Sequence, residues 1–200
     1  MLQQSPDQTA KVPACISRGT LIDTYHGSMP VEDLLVDDLV MTKDAGFQPI
    51  RWIRSVQVTA KGRLAPVRIS RGALGNSRTL LVSQQQRVLL SDWRAELLFG
   101  EREVLATARS IVNDSSIWIH DGGEMEYFHL LFDRHQILYA EDCPAESLHP
   151  ANDGIAALPA FLQDEILALR PDLNGNLDAF GASARLILKP YEAKALRDYG

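Results

Sequence analysis

Two hundred residues, 46% hydrophobic and 23% charged, make an ordinary globular chain and exclude wholesale disorder, a collagen-like repeat and a coiled coil. The 26 acidic residues exceed the 20 basic ones, giving a net charge of −6 and a pI near 5.3, which argues against a general nucleic-acid binder. Two cysteines make no disulfide framework, and no run reaches the roughly 18 apolar residues of a membrane span.

The first fourteen residues, MLQQSPDQTAKVPA, hold three Gln and two Pro and almost nothing to bury, so 1–14 is expected to be a flexible lead. It lacks the apolar centre of a signal peptide, and a cytoplasmic location is the default expectation. From Cys15 the texture changes to short apolar runs broken by turn residues. LIDTY (21–25) precedes the turn HGSMP, and DLVMT (38–42) precedes KDAG. FQPIRWIRSVQV (47–58) alternates Val56 and Val58 against Gln57. PVRIS, TLLVS, RVLLS (87–91) and SIWIH (116–120) read as further strands, and YFHLLFD with HQILYA (127–140) as a strand pair linked through Asp133 and Arg134. Many short strands at close spacing predict a mainly β fold over 15–150. The period then changes. Pro159 suits a first helical turn, followed by Leu162, Ile166 and Leu169, with Pro171 as the stop; a second helix is expected after Pro190. Residues 151–200 are thus expected to be a helical extension packed on the β domain.

The residues around Cys15 carry a likeness. CISRGTLIDTYHGSMPVEDLLVDDLVMT (15–42) resembles the opening of the Hint (hedgehog/intein) module: a Cys, a short turn, Gly-Thr, a strand, a Gly hairpin, then V-E-x-L and an x-D-x-V strand. QPIRWI (48–53), VSQQQRVLL (82–90) and FHLLFDRHQILYAEDCPAESL (128–148) follow in the order of that family. The likeness is to the bacterial Hint-domain proteins outside the true inteins. It implies an all-β horseshoe and a self-processing activity whose substrate is the chain's own N-terminal segment, without cofactor, metal, nucleic acid or membrane. In that chemistry the Cys15 thiol attacks the carbonyl of Ala14 and turns an amide into a thioester. Proximity replaces a bimolecular encounter, a general acid must protonate the leaving nitrogen, and donors must hold the oxyanion.

Carried over residue by residue, the resemblance gives catalytic expectations for Cys15 as nucleophile, Ser83 at the head of the family's T-x-x-H motif, and His135 in the F-D-R-H segment. Gln86 stands where that motif has its His; glutamine donates a hydrogen bond but delivers no proton at neutral pH, so processing is expected to be weak or lost. His129 reads as an exposed strand partner of Glu126, His26 and His149 as solvated turn residues, and Cys143 as a surface-loop thiol, with pairing to Cys15 the alternative. Asp172, Asn174, Asn176 and Asp178 are spaced like the start of an EF-hand loop, but Leu177 and Ser183 stand where that loop has Gly and Glu, so a turn is expected. The arginines at 51, 54, 63, 68, 71 and 78 read as a solvated sheet face. Three functions compete: self-cleavage before Cys15, a Hint fold that serves as a non-catalytic interaction module with a protein partner, and a thiol hydrolase using Cys15 with His135. The shortness of the upstream segment and Gln86 favour the second, and LRDYG at the end of the chain argues against splicing.

Overall fold

The computed structural model describes residues 13–198, apart from the side chains of 152, 153 and 198; residues 1–12 of the expected lead lie outside the described residues. In chain order the strands are β1 (Ile16–Ser17), β2 (Leu21–Thr24), β3 (Gly27–Pro30), β4 (Leu39–Thr42), β5 (Gly46–Pro49), β6 (Trp52–Thr59), β7 (Val67–Ile69), β8 (Leu80–Val82) and β9 (Arg87–Ser91). Helix α1 (Trp93–Phe99) precedes β10 (Glu103–Thr107), β11 (Ile117–Ile119), β12 (Glu124–Leu131), β13 (Ile137–Ala140) and β14 (Cys143–Glu146). The chain continues with α2 (Ala160–Leu169), β15 (Leu186–Ile187) and α3 (Pro190–Asp198). The expected mainly β fold with closing helices is what the residues form.

Two sheets carry the fold. One is ordered β11-β7-β8-β1-β12-β6; the other runs β15-β10-β9-β14-β13-β2-β4-β5, with β3 on β2. The recorded pairings are antiparallel except β10 with β15. The short strands bury apolar side chains from both sheets in one core, where Ile16, Val82 and Phe128 of the first meet Ile22, Val40 and Leu138 of the second. A second cluster seats α2, as Leu162 and Ile166 pack on Trp52, Leu131, Leu148 and Phe180. Leu169 of the same expected stripe is exposed instead.

Three sequence expectations give way here. FQPIRWIRSVQV forms two strands, β5 and β6, of different sheets. YFHLLFD and HQILYA are not a pair: β12 runs between β1 and β6, whereas β13 pairs with β14, β2 and β4. From Tyr127 to Leu131 in β12, and along most of β13, residues are buried on both faces, so alternation carries no sign of which sheet they join. Between β9 and β10 stands α1, which shows little amphipathic stripe because Trp93 and Leu97 face solvent. Asp92 caps it by accepting from the Arg94 N–H at 2.9 Å, and Gly100 closes it at φ 76°.

Candidate functional site

The register of the first sheet builds the site. Ile16 of β1 pairs with Val82 on one side and Phe128 on the other. One residue further along these antiparallel strands, Ser83, Cys15 and His129 therefore form a row across the sheet. Three hydrogen bonds hold the peptide that runs into Cys15. The Ser83 N–H donates to the Cys15 carbonyl at 3.1 Å, the Ser83 hydroxyl donates to the Pro13 carbonyl at 2.8 Å, and His129 Nδ1 donates to the Ala14 carbonyl at 3.1 Å. A carbonyl only accepts, so that last bond fixes the proton on Nδ1.

The row is dry. Cys15, Ser83 and His129 are each 1–2% exposed. Burial pushes the Cys15 thiol well above its ordinary range, and hydrogen bonds from Ser83 offset this in part. Burial likewise lowers the His129 imidazole to about 4, against the opposing bond to Ala14, so the ring is neutral at pH 7. Tyr127 packs beside Cys15 and donates from its hydroxyl to the Leu64 carbonyl at 3.1 Å.

Gln86 follows Ser83 in a tight turn, its N–H donating to the Ser83 hydroxyl at 3.1 Å. Its side-chain amide leaves the row and donates to the backbone carbonyls of Glu146 (2.9 Å) and Arg87 (3.1 Å). Glu146, fully buried, takes both of its charge partners from the same region. Arg87 reaches its two carboxylate oxygens at 3.1 Å, and His135 Nε2 lies 3.2 Å from Oε2, off hydrogen-bond alignment. His135 Nδ1 accepts from the Ala184 N–H at 3.0 Å and faces the Ser183 hydroxyl at 3.3 Å. Ser183, His135 and Glu146 thus stand in series like a nucleophile, base and carboxylate. The Nδ1 lone pair is already engaged by Ala184, however, which leaves nothing to take a serine proton.

The expected residues therefore separate. Ser83 touches the Cys15 peptide directly. Gln86 meets Ser83 through its backbone, while its side chain is turned to Glu146. His135 connects to the row by way of Glu146 and Gln86. The histidine on the Ala14 carbonyl is His129, which the sequence reading placed on the exposed face; it is buried because β12 is an interior strand. Its legible signal was position: His129 lies within an unbroken strand pattern, whereas His135 follows the Asp133–Arg134 break.

Two further readings are corrected, and the turn expected at 172–178 is found. Cys143 is not in a surface loop but fully buried on β14, with burial pushing its thiol up to about 12, and both cysteines are free. His149 is not solvated: it donates from Nε2 to the Gly181 carbonyl at 3.1 Å and accepts from the Ala151 N–H at 3.2 Å. In the 172–178 segment Asp172 is ion-paired with Arg170 at 2.7 Å, and Leu177–Phe180 forms a 3-10 turn. Among the described residues no group of three or more His, Cys, Asp or Glu is placed to hold a metal, and no helix is long and apolar enough to cross a membrane. The basic stretch is a mostly paired surface, with Arg51 on Asp37 and Asp133, Arg54 on Glu165, and Arg68 over Trp118.

Comparison with solved structures finds similar folds at low identity. The gp41-1 intein is 12% identical with a TM-score of 0.41, over 66% of this chain and 96% of its own. The Ssp DnaB mini-intein variant M86 is 14% identical with a TM-score of 0.45, over 74% and 97%. A bacterial intein-like domain from Clostridium thermocellum is 11% identical with a TM-score of 0.42, over 66% and 96%. No curated protein matches the sequence. Residues 14–152 match the Hint domain family, a span that opens on Ala14, the residue whose carbonyl faces His129, and with it the chain belongs to that family.

Proposed function

We propose that this chain is a Hint-type self-processing module that cleaves its own backbone after Ala14 through an N–S acyl shift at Cys15, and does so slowly. The observation that carries the reading is the His129 Nδ1 to Ala14 carbonyl bond of 3.1 Å, beside the thiol of the next residue. Cys15 Sγ bonds to the Ala14 carbonyl carbon, and the oxygen gains charge against the Nδ1–H of His129. On collapse the carbon–nitrogen bond breaks. The thiol proton ends on the new α-amine of Cys15, and residues 1–14 remain as a thioester that water or an added nucleophile resolves. Preorganised donors at the oxyanion lower this barrier, and the fixed peptide supplies proximity.

The slow step is protonation of the leaving nitrogen. Gln86 brings no titrating proton, and its amide is engaged by two carbonyls. A thiolate leaves more readily than an unprotonated amine, so the intermediate collapses backward. A positioned general acid contributes about 10²–10⁴-fold, which is the factor absent here. The same engagement of Gln86, together with the buried thiol of Cys15, favours a second reading, a Hint fold kept as a stable interaction module.

Intact mass distinguishes them. The freshly purified chain is incubated with and without dithiothreitol, beside Cys15→Ala. Slow, thiol-accelerated loss of residues 1–14 in the native chain alone supports processing; a native chain that stays full length for days in dithiothreitol supports the module.

A further inference from the structure

Alternation along β1 turns Ile16 into the main core and Cys15 to the opposite face of the sheet. On that face Cys15 and Tyr127 pack with Val56, Val58 and Met125 of β6 and β12, and with Leu64 from the turn between β6 and β7. Backbone bonds to the β11–β12 connection fix the two ends of that turn. The Ala60 N–H donates to the Gly123 carbonyl at 3.0 Å, the Gly122 N–H to the Ala60 carbonyl at 2.7 Å, and the His120 N–H to the Pro66 carbonyl at 2.9 Å. Between these ends Lys61, Gly62 and Arg63 are exposed.

Two buried side chains reach the middle of the turn. Gln84 Nε2 donates to the carbonyls of Gly62 at 2.7 Å and Ala65 at 3.0 Å. The Tyr127 hydroxyl donates to the carbonyl of Leu64 between them. The orientation of the Gln84 amide is set from its other end, where its oxygen accepts from the Arg109 guanidinium and its backbone carbonyl accepts from the Arg109 N–H at 3.1 Å. Gln84 follows Ser83, so one tight turn after β8 holds both the peptide that enters Cys15 and the cover above the thiol.

We propose that Gln84 is a positioning residue that holds the 61–65 turn closed over Cys15, and that it thereby sets how readily an outside nucleophile reaches the thioester. The consequence for the reaction rests on the self-processing reading; the cover itself does not. The acyl shift needs no opening, since Sγ and the carbonyl it attacks belong to neighbouring residues of one chain. Resolution does need it. An added thiol bonds to the Ala14 carbonyl carbon, the carbon–Sγ bond breaks, the proton of the incoming thiol passes to Sγ, and residues 1–14 depart on the added thiol. Cys15 is only 1% exposed under the closed turn. When the turn lifts, Leu64 leaves with it, the sulfur meets water, and the burial that suppresses its ionisation is relieved.

Thiol labelling of the whole chain tests the cover. Freshly purified protein is treated with N-ethylmaleimide at pH 7.5, and labelling of the full-length chain is followed separately at Cys15 and Cys143 by peptide mass. Cys143, fully buried on β14, gauges general loosening. Gln84→Met keeps the side-chain length and donates nothing, and should raise Cys15 labelling about tenfold or more with Cys143 unchanged. Gln84→Glu keeps its Arg109 partner but sets an acceptor against two carbonyls, and should do the same. Tyr127→Phe removes one tether and should give a several-fold rise. Native labelling of Cys15 in both Gln84 variants, or a rise matched at Cys143, overturns the proposal. In dithiothreitol the Gln84→Met chain should release residues 1–14 several-fold faster than the native chain, and equal release despite faster labelling also overturns it. If no chain releases the segment, the self-processing reading fails, and the labelling ratio alone decides whether the cover exists.

Discussion

The side-chain amide of Gln86 donates to the backbone carbonyl of Glu146 at 2.9 Å, tying the turn after β8 to strand β14. Position 86 thus has a structural duty apart from proton transfer, and two substitutions separate them. Gln86→Ala leaves buried carbonyls unpaired and should cost about 1–3 kcal/mol, read as a lower urea midpoint, with no change in the rate at which residues 1–14 are released. Gln86→His should also lose stability but accelerate release, by up to about 10²-fold. Equal release from the native and His chains in intact-mass time courses would remove protonation as the limiting step.

His129 is the donor on the Ala14 carbonyl, and its removal bears on bond cleavage directly. His129→Ala should slow hydroxylamine-trapped release of residues 1–14 by about 10²–10³-fold relative to the native chain. His129→Asn, which brings an N–H close to the Nδ1 position, should recover part of that loss. An Ala variant that releases the segment at the native rate would show that the oxyanion is held by another group.

Acid should unfold the chain through its buried imidazoles. Burial holds both His129 and His149 at about 4, and for His149 the neighbouring His135 adds to the effect. Above about pH 6.5 each ring is neutral in the folded and unfolded states. Below it the unfolded chain takes protons that the folded chain refuses, so stability falls between about pH 6.5 and pH 4, by roughly 3 kcal/mol for each ring. Urea midpoints at pH 7, 5.5 and 4.5 measure the slope, and His149→Phe should reduce it to about half. A midpoint that holds steady from pH 7 to 4.5 would contradict the burial of these rings.

The hairpin joining β13 to β14 turns on Glu141 and Asp142, both at positive φ (51° and 65°). Side chains with a Cβ are disfavoured there. Glu141 has a reason to stay, because its buried carboxylate accepts from the Leu21 N–H at 2.8 Å. Asp142 is exposed, and Asp142→Gly should stabilise the chain by about 0.5–1 kcal/mol, seen as a higher melting temperature. A lower one would mean that the aspartate makes a contact beyond its own backbone.

Much of this arrangement was legible in the residues. LIDT, LVMT, VRI, LLV and RVLLS fall in strands where the short apolar runs predict them, and the prolines at 159, 171 and 190 mark where the closing helices start and stop. What periodicity does not encode is which sheet a doubly buried strand joins, and for that reason β12 and β13 were paired in error. The site suffered from the same gap. Cys15 and Ser83 are recognisable from their own surroundings, but His129 becomes a site residue only through the register that aligns Phe128 with Ile16. His135, more conspicuous in sequence, owes its burial to contacts with Ala184, forty-nine positions later, a distance over which local pattern is silent.

Strand β15 is only two residues long, yet it lies parallel along β10 at one margin of the larger sheet. Val104, Leu105 and Ala106 of β10 are fully buried behind it. Shorn of that narrow border, β10 would present a row of unpaired amides and carbonyls backed by apolar side chains, the template on which separate chains stack strand against strand. The closing segment therefore guards the molecule against self-association as well as covering its histidines, and a shortened version ending before Leu186 should be prone to precipitate rather than persist as a smaller soluble domain.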